Sequence, residues 1–84
     1  MPEPIHVYST EVLGPEGTVY RAWIMGEERG DGTWEGWLEF HPTALDRPVL
    51  RTDQETSQPN REALVYWAGG LEPIYLEGAF ERAR

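Results

Sequence analysis

The stretch Asp31-Gly32-Thr33-Trp34-Glu35-Gly36-Trp37-Leu38-Glu39-Phe40-His41-Pro42 constrains this chain more than any other. Trp34, Gly36, Leu38 and Phe40 fall on one side of an extended backbone. Thr33, Glu35, Glu39 and His41 fall on the other, with Trp37 among them. That period of two is the signature of a half-buried strand. The Asp31-Gly32 pair favours a positive-φ turn at its start, and Pro42, which cannot donate to a ladder, marks its end.

The neighbouring segments extend the sheet. Ile5 to Leu13 interleaves Val, Tyr, Ser and Thr without breakers and reads as an edge strand. Gly14-Pro15-Glu16-Gly17 is a turn signal, and Thr18 to Met25 is the next strand. Tyr20, Ala22 and Ile24 point to the core on this reading, which leaves Trp23 to pair across the sheet with Trp37 on the opposite face. Gly26 to Gly32 forms a polar hairpin loop, and Val49 to Thr52 a short fourth strand. Asp53 to Gln58 is a polar connection, with Thr56 or Ser57 expected to cap a helix and Pro59 in its first turn. Leu64, Trp67, Ala68 and Leu71 recur at helical spacing until Gly69-Gly70. For Glu72 to Arg84 two readings stand: a helix opened by Pro73 with Leu76, Phe80 and Ala83 on one face, or a short strand Ile74-Tyr75-Leu76 and then a helical turn. The paired glycines favour the second.

Strands joined by hairpins and followed by a helix predict one α+β domain over residues 1-84, an antiparallel sheet of three to four strands with a helix on one face. The expected core combines Tyr20, Ala22, Ile24, Trp34, Leu38 and Phe40 with Leu64, Trp67 and Leu71. Trp23, Trp37 and Met25 are left on the other face, as an aromatic patch unless a helix covers them.

Charge narrows the function. Fifteen acidic residues stand against seven basic ones, all arginine, for a net of -8. Such a balance repels phosphate backbones and anionic lipid, so direct nucleic-acid binding is not expected. The chain has no cysteine, hence neither a disulfide framework nor a thiolate nucleophile. No signal peptide or membrane span is read in it, and a cytoplasmic location is expected.

Chemical candidates are sparse. His41 and Glu39 share a strand face as a potential His/carboxylate pair, but two ligands do not make a metal site. Glu27, Glu28 and Asp31 crowd a glycine-rich loop without the spacing of a calcium loop. Asp53, Glu55, Thr56 and Asn60 string hydrogen-bonding groups between strand and helix, where loops often bind and where any helix start needs such residues. The remaining candidate is a protein interface of Trp23, Trp37, Arg21, Met25 and Glu35, aromatic anchors ringed by charge.

The hairpin segment Asp31-Gly32-Thr33-Trp34-Glu35-Gly36-Trp37, followed by a third strand-like run and the helix start Glu62-Ala63-Leu64, resembles the small HicB-like antitoxin domains over about residues 18-71. The resemblance implies a partial ribonuclease-H-like fold of three strands and a helix, and an acidic domain that docks on a basic toxin. The expected function is therefore a non-enzymatic protein-interaction module, pairing with itself as a homodimer or with a basic protein partner, without a cofactor or metal. The alternative is a small-ligand or metal-assisted hydrolytic domain using His41, Glu39 and the 53-60 loop.

Overall fold

The computed structural model describes all of residues 1–84. Five strands build one antiparallel sheet: β1 (Glu3–Leu13), β2 (Val19–Glu28), β3 (Trp34–Pro42), β4 (Leu50–Arg51) and β5 (Thr56–Gln58). Their order is β1-β2-β3-β4, and β5 also pairs with β3. β4 and β5 thus lie end to end along one edge of β3, and β1 forms the other edge. Two helices follow, α1 (Arg61–Gly69) and α2 (Pro73–Arg82). The α+β class and the antiparallel sheet are those expected from the sequence.

Both hairpins are made by local chemistry. In the β1–β2 turn, Glu16 and Gly17 take φ of 62° and 78°, and Thr18 N–H closes onto the Pro15 carbonyl at 3.3 Å. In the β2–β3 loop, Gly32 takes φ 88°, while the Asp31 carboxylate accepts from Thr33 N–H at 2.9 Å and from its hydroxyl at 2.6 Å. These bonds hold the Asp31 carboxyl below its ordinary pKa, as they must where they favour the charged form.

The core lies between one sheet face and the two helices. Tyr8 and Val12 of β1, Tyr20, Ala22 and Ile24 of β2, and Leu38 and Phe40 of β3 meet Leu64, Ala68, Leu76 and Ala79 of the helices. The helix seats itself through two glycines. Gly26 and Gly36 are cross-strand partners, and a Cβ on either would stand 2.6 or 2.7 Å from a Leu64 methyl. Neither has a positive φ, so glycine is needed there for close approach and not for conformation. Tyr8 makes the second tie, its hydroxyl donating to the Ala68 carbonyl at 2.5 Å and binding the edge strand to α1.

Several expectations are corrected. Thr56 and Ser57 do not cap the helix: they belong to β5, paired with Gly36 and Glu35. The cap is Asn60, whose side chain accepts from Ala63 N–H at 2.8 Å, and Pro59 precedes it. The C-terminal segment is not a strand and a turn but one helix, with Pro73 in its first turn. Its Leu76 and Ala79 have a core to enter, and the edge a further strand would need at β4 is taken by the chain's last residue. There Arg51 and Arg84 exchange backbone hydrogen bonds at 3.1 and 3.0 Å. Trp34, Trp67 and Leu71 flank the core half-buried and are not inside it. The core members missing from the expected list, Tyr8, Val12, Ala68, Leu76 and Ala79, come from β1 and the helices.

Two predictions follow from these ties. Gly36→Ala lowers stability by about 1–3 kcal/mol, an overpacking cost, and loses most of that effect in a Leu64→Ala background, where the new methyl occupies the space vacated. A double-mutant cycle in urea checks this, and strictly additive losses contradict it. Burial, with a smaller contribution from Tyr75, raises the Tyr8 phenol from 10.0 to about 12, so the folded state binds its proton more tightly than the unfolded chain. The associated stability is complete below pH 10 and falls away as pH rises from 10 towards 12. In Tyr8→Phe the alkaline slope is shallower, and stability at pH 7 is lower by about 1 kcal/mol for the lost hydrogen bond; denaturant titrations across the alkaline range read both.

Candidate interaction face of the sheet

Both helices pack against the same side of the sheet, so the other side carries no helix. Alternation along β2 and β3 puts Arg21, Trp23 and Met25 beside Glu35, Trp37, Glu39 and His41 on that open side. All five proposed interface residues therefore share one face. Their exposure differs from expectation.

Trp23 and Trp37 do not pair across the sheet. In the observed register Trp23 stands opposite Glu39, and Trp37 opposite Met25. Trp37 is only 3% exposed and Met25 is buried as well, although no helix covers them. The cover is made by side chains. Arg51, reaching diagonally from β4, places its guanidinium 4.9 Å from the Trp37 ring centre, and the Trp37 indole N–H donates to Glu39 at 3.3 Å. A charged lid over an aromatic floor is a stable arrangement where the cation keeps contact with water.

Trp23 turns to His41 instead. The two rings stack with centroids 3.9 Å apart and planes 19° from parallel. His41 Nε2 lies 3.1 Å from the second oxygen of Glu39, so Glu39 is held between indole and imidazole. On the other side of Trp23 its cross-strand partner is Val7, which is 48% exposed. Val7, Trp23 and His41 thus make a strip across three strands, half-open to solvent and backed by the sheet. Arg21 stands beside it, 3.6 Å from Glu11. Glu35, further along, bonds Arg29 at 3.0 Å, and Arg29 also reaches Ser57 at 3.1 Å and the Gln54 side chain. Arg29 in this way clamps the hairpin to the start of β5.

The 53-60 segment is occupied with structure. The Glu55 carboxylate accepts from Tyr75 hydroxyl at 2.6 Å and from Arg82, holding α2 to the sheet. Burial, and then the bond to Glu55, pushes the Tyr75 phenol up to about 12. Thr56 sits in β5 and accepts from Gln58 at 2.6 Å, Asn60 caps α1, and Asp53 projects into solvent. Thr52, which the sequence does not single out, is buried, and its backbone N–H and side-chain hydroxyl both bond to Leu38. It holds the joint between β4 and β5 to β3.

The candidate hydrolytic set does not assemble. Glu39 and His41 face Trp23 and Arg21 on β2, whereas Thr56 pairs with Gly36, five residues from His41 along β3 and so roughly 17 Å away. No three His, Asp or Glu side chains gather as a metal site needs. A separate apolar hollow of about 470 Å³ lies on the helix side, lined by Gln58, Ala63, Tyr66, Trp67, Gly70 and Leu71. No charged group lines it.

No family model matches the sequence, and neither a curated protein nor a solved structure matches the chain.

Removing the lid is a direct test of how the face is built. Arg51→Ala opens Trp37 to water, increases acrylamide quenching of its fluorescence, and costs about 0.5–1 kcal/mol of stability. Unchanged quenching contradicts the arrangement.

Proposed function

We propose that the protein is a non-enzymatic interaction module, acting in the cytoplasm, that binds a basic protein partner through the open face of its sheet. The observation that carries this reading is the Val7–Trp23–His41 strip, half-exposed on a face without a helix, in a chain of net charge -8. Aromatic side chains backed by rigid strands lose little freedom on binding, and they dominate the energetics of interfaces. The acidity steers a cationic surface towards the strip and discourages a second copy of the same chain.

The HicB-like resemblance supports the same direction, since it makes the partner a small basic toxin. The hydrolytic alternative has less support, because Glu39 and His41 bond each other while Thr56 lies at the far end of β3, and the side chains of Glu55 and Asn60 are committed to Tyr75, Arg82 and the helix cap. No helix is long and apolar enough to cross a membrane, and the negative charge opposes docking on anionic lipid.

Cross-linking of the tagged full chain in the cells that make it, followed by mass spectrometry and binding measurements on the purified pair, tests the proposal. The expected result is a basic partner whose affinity falls about tenfold or more with Trp23→Ala and with Val7→Glu. A partner indifferent to both substitutions overturns it, as does a homodimer by light scattering whose interface contains the strip.

A further inference from the structure

A second concavity, of about 360 Å³, lies where the end of β1 meets α2. It is lined by Val12, Leu13 and Phe80 and by Glu11, Glu77 and Glu81. We infer that this groove is an anchoring pocket for an arginine side chain of the basic partner, an inference that rests on the reading above.

The floor is apolar and rigid. Phe80 is wedged between Tyr20, with ring centres 5.0 Å apart, and Phe40, edge-on at 5.2 Å, while Val12 is part of the buried core. Leu13 projects beside them, 72% exposed. An arginine suits such a floor, because its methylene stem covers apolar surface and its planar guanidinium stacks on an aromatic ring. Arginine also offers five donors in a fixed fork, enough to engage carboxylates on more than one side. At about 360 Å³ the groove stands at the lower end of the range of small-molecule pockets, roughly 300–1,000 Å³.

The rim supplies the complementary charge, and it does so at the expense of the helix. Glu77 and Glu81 stand four residues apart on one face of α2, a like-charge spacing that weakens a helix. Glu81 is also in the last turn, where the helix dipole disfavours a carboxylate. Neither is ion-paired within the chain. Glu11, across the groove, has only the loose contact with Arg21, and both side chains are exposed enough to rearrange. A guanidinium between the three relieves this repulsion. Access is open, because β1 is the terminal strand of the sheet and no neighbouring strand lies beyond it.

The pocket and the Val7–Trp23–His41 strip are reached from the same edge strand, through Glu11 to Leu13 and through Val7. One partner that wraps the β1 edge engages both, the strip by apolar contact and the pocket by charge.

The test uses the isotope-labelled full chain and the peptide acetyl-Ala-Val-Arg-Val-Ala-amide, with twins carrying citrulline or lysine at the central position. The arginine peptide shifts amide resonances of Glu11, Val12, Leu13 and Phe80. Citrulline, which keeps the shape and loses the charge, binds about tenfold more weakly, and lysine also binds more weakly than arginine. Glu77→Gln with Glu81→Gln weakens the arginine peptide by a similar factor while the melting temperature does not fall, so that the weaker binding is not a loss of fold. Equal binding of the citrulline or lysine twin overturns the assignment, as does the absence of any shift. Shifts confined to Val7, Trp23 and His41 also overturn it but leave the basic-partner reading standing, and the cross-linked partner decides that reading on its own.

Discussion

The seat of Leu64 against Gly26 and Gly36 is the contact on which the rest of the molecule depends. Two facing glycines open a notch in the middle of the β2–β3 hairpin, and the first buried residue of α1 fills it. With the helix drawn this close, the hydroxyl of Tyr8 reaches the backbone of Ala68, so the outermost strand is tied to the helix as well as to β2. Burying one leucine is worth about 1.5–3 kcal/mol, but its larger effect is geometric, because it selects which side of the sheet the helices cover.

That selection has a consequence for the opposite side. A chain of 84 residues with two short helices can cover only one face of its sheet with backbone elements, so the other is finished with side chains. Arg51 over Trp37, Glu39 between indole and imidazole, and His41 on Trp23 are that finish. It closes completely over Trp37 and stops short at Val7 and Trp23. The open remainder is a half-exposed strip of Val7, Trp23 and His41, and the carboxylates of Glu77 and Glu81, which make no ion pair, lie on α2 beside the end of β1.

Much of the fold is legible in residue order. The alternation from Trp34 to Phe40, the Asp31-Gly32 turn and the helical recurrence of Leu64 and Ala68 depend on local geometry and hydropathy, and each is realised where the pattern places it. The Asp53–Asn60 segment is less legible, since Thr, Ser and Asn serve equally as caps and as strand residues. Thr56 and Ser57 become strand because β3 offers them an edge beside Gly36, and Asn60 takes the cap because it is the last polar residue before the helix. Of the candidate face, membership is readable from the period of two, but exposure is not. The register sets Trp37 beside Met25 and within reach of Arg51, a residue distant in sequence, and that contact buries it.

The amino-acid sequence by itself therefore determines the three long strands, the turns between them, the helix that carries Leu64, and the net acidity, because each follows from neighbours within a few residues or from composition alone. Tertiary structure decides the fate of the C-terminal segment, the side on which both helices lie, and which tryptophan stays accessible. Those outcomes turn on contacts between distant residues: Leu64 with two glycines on β2 and β3, Leu76 and Ala79 with the shared core, and Arg51 with Trp37. A periodic pattern states that a residue faces a given side, whereas only the packed chain states what, if anything, stands on top of it.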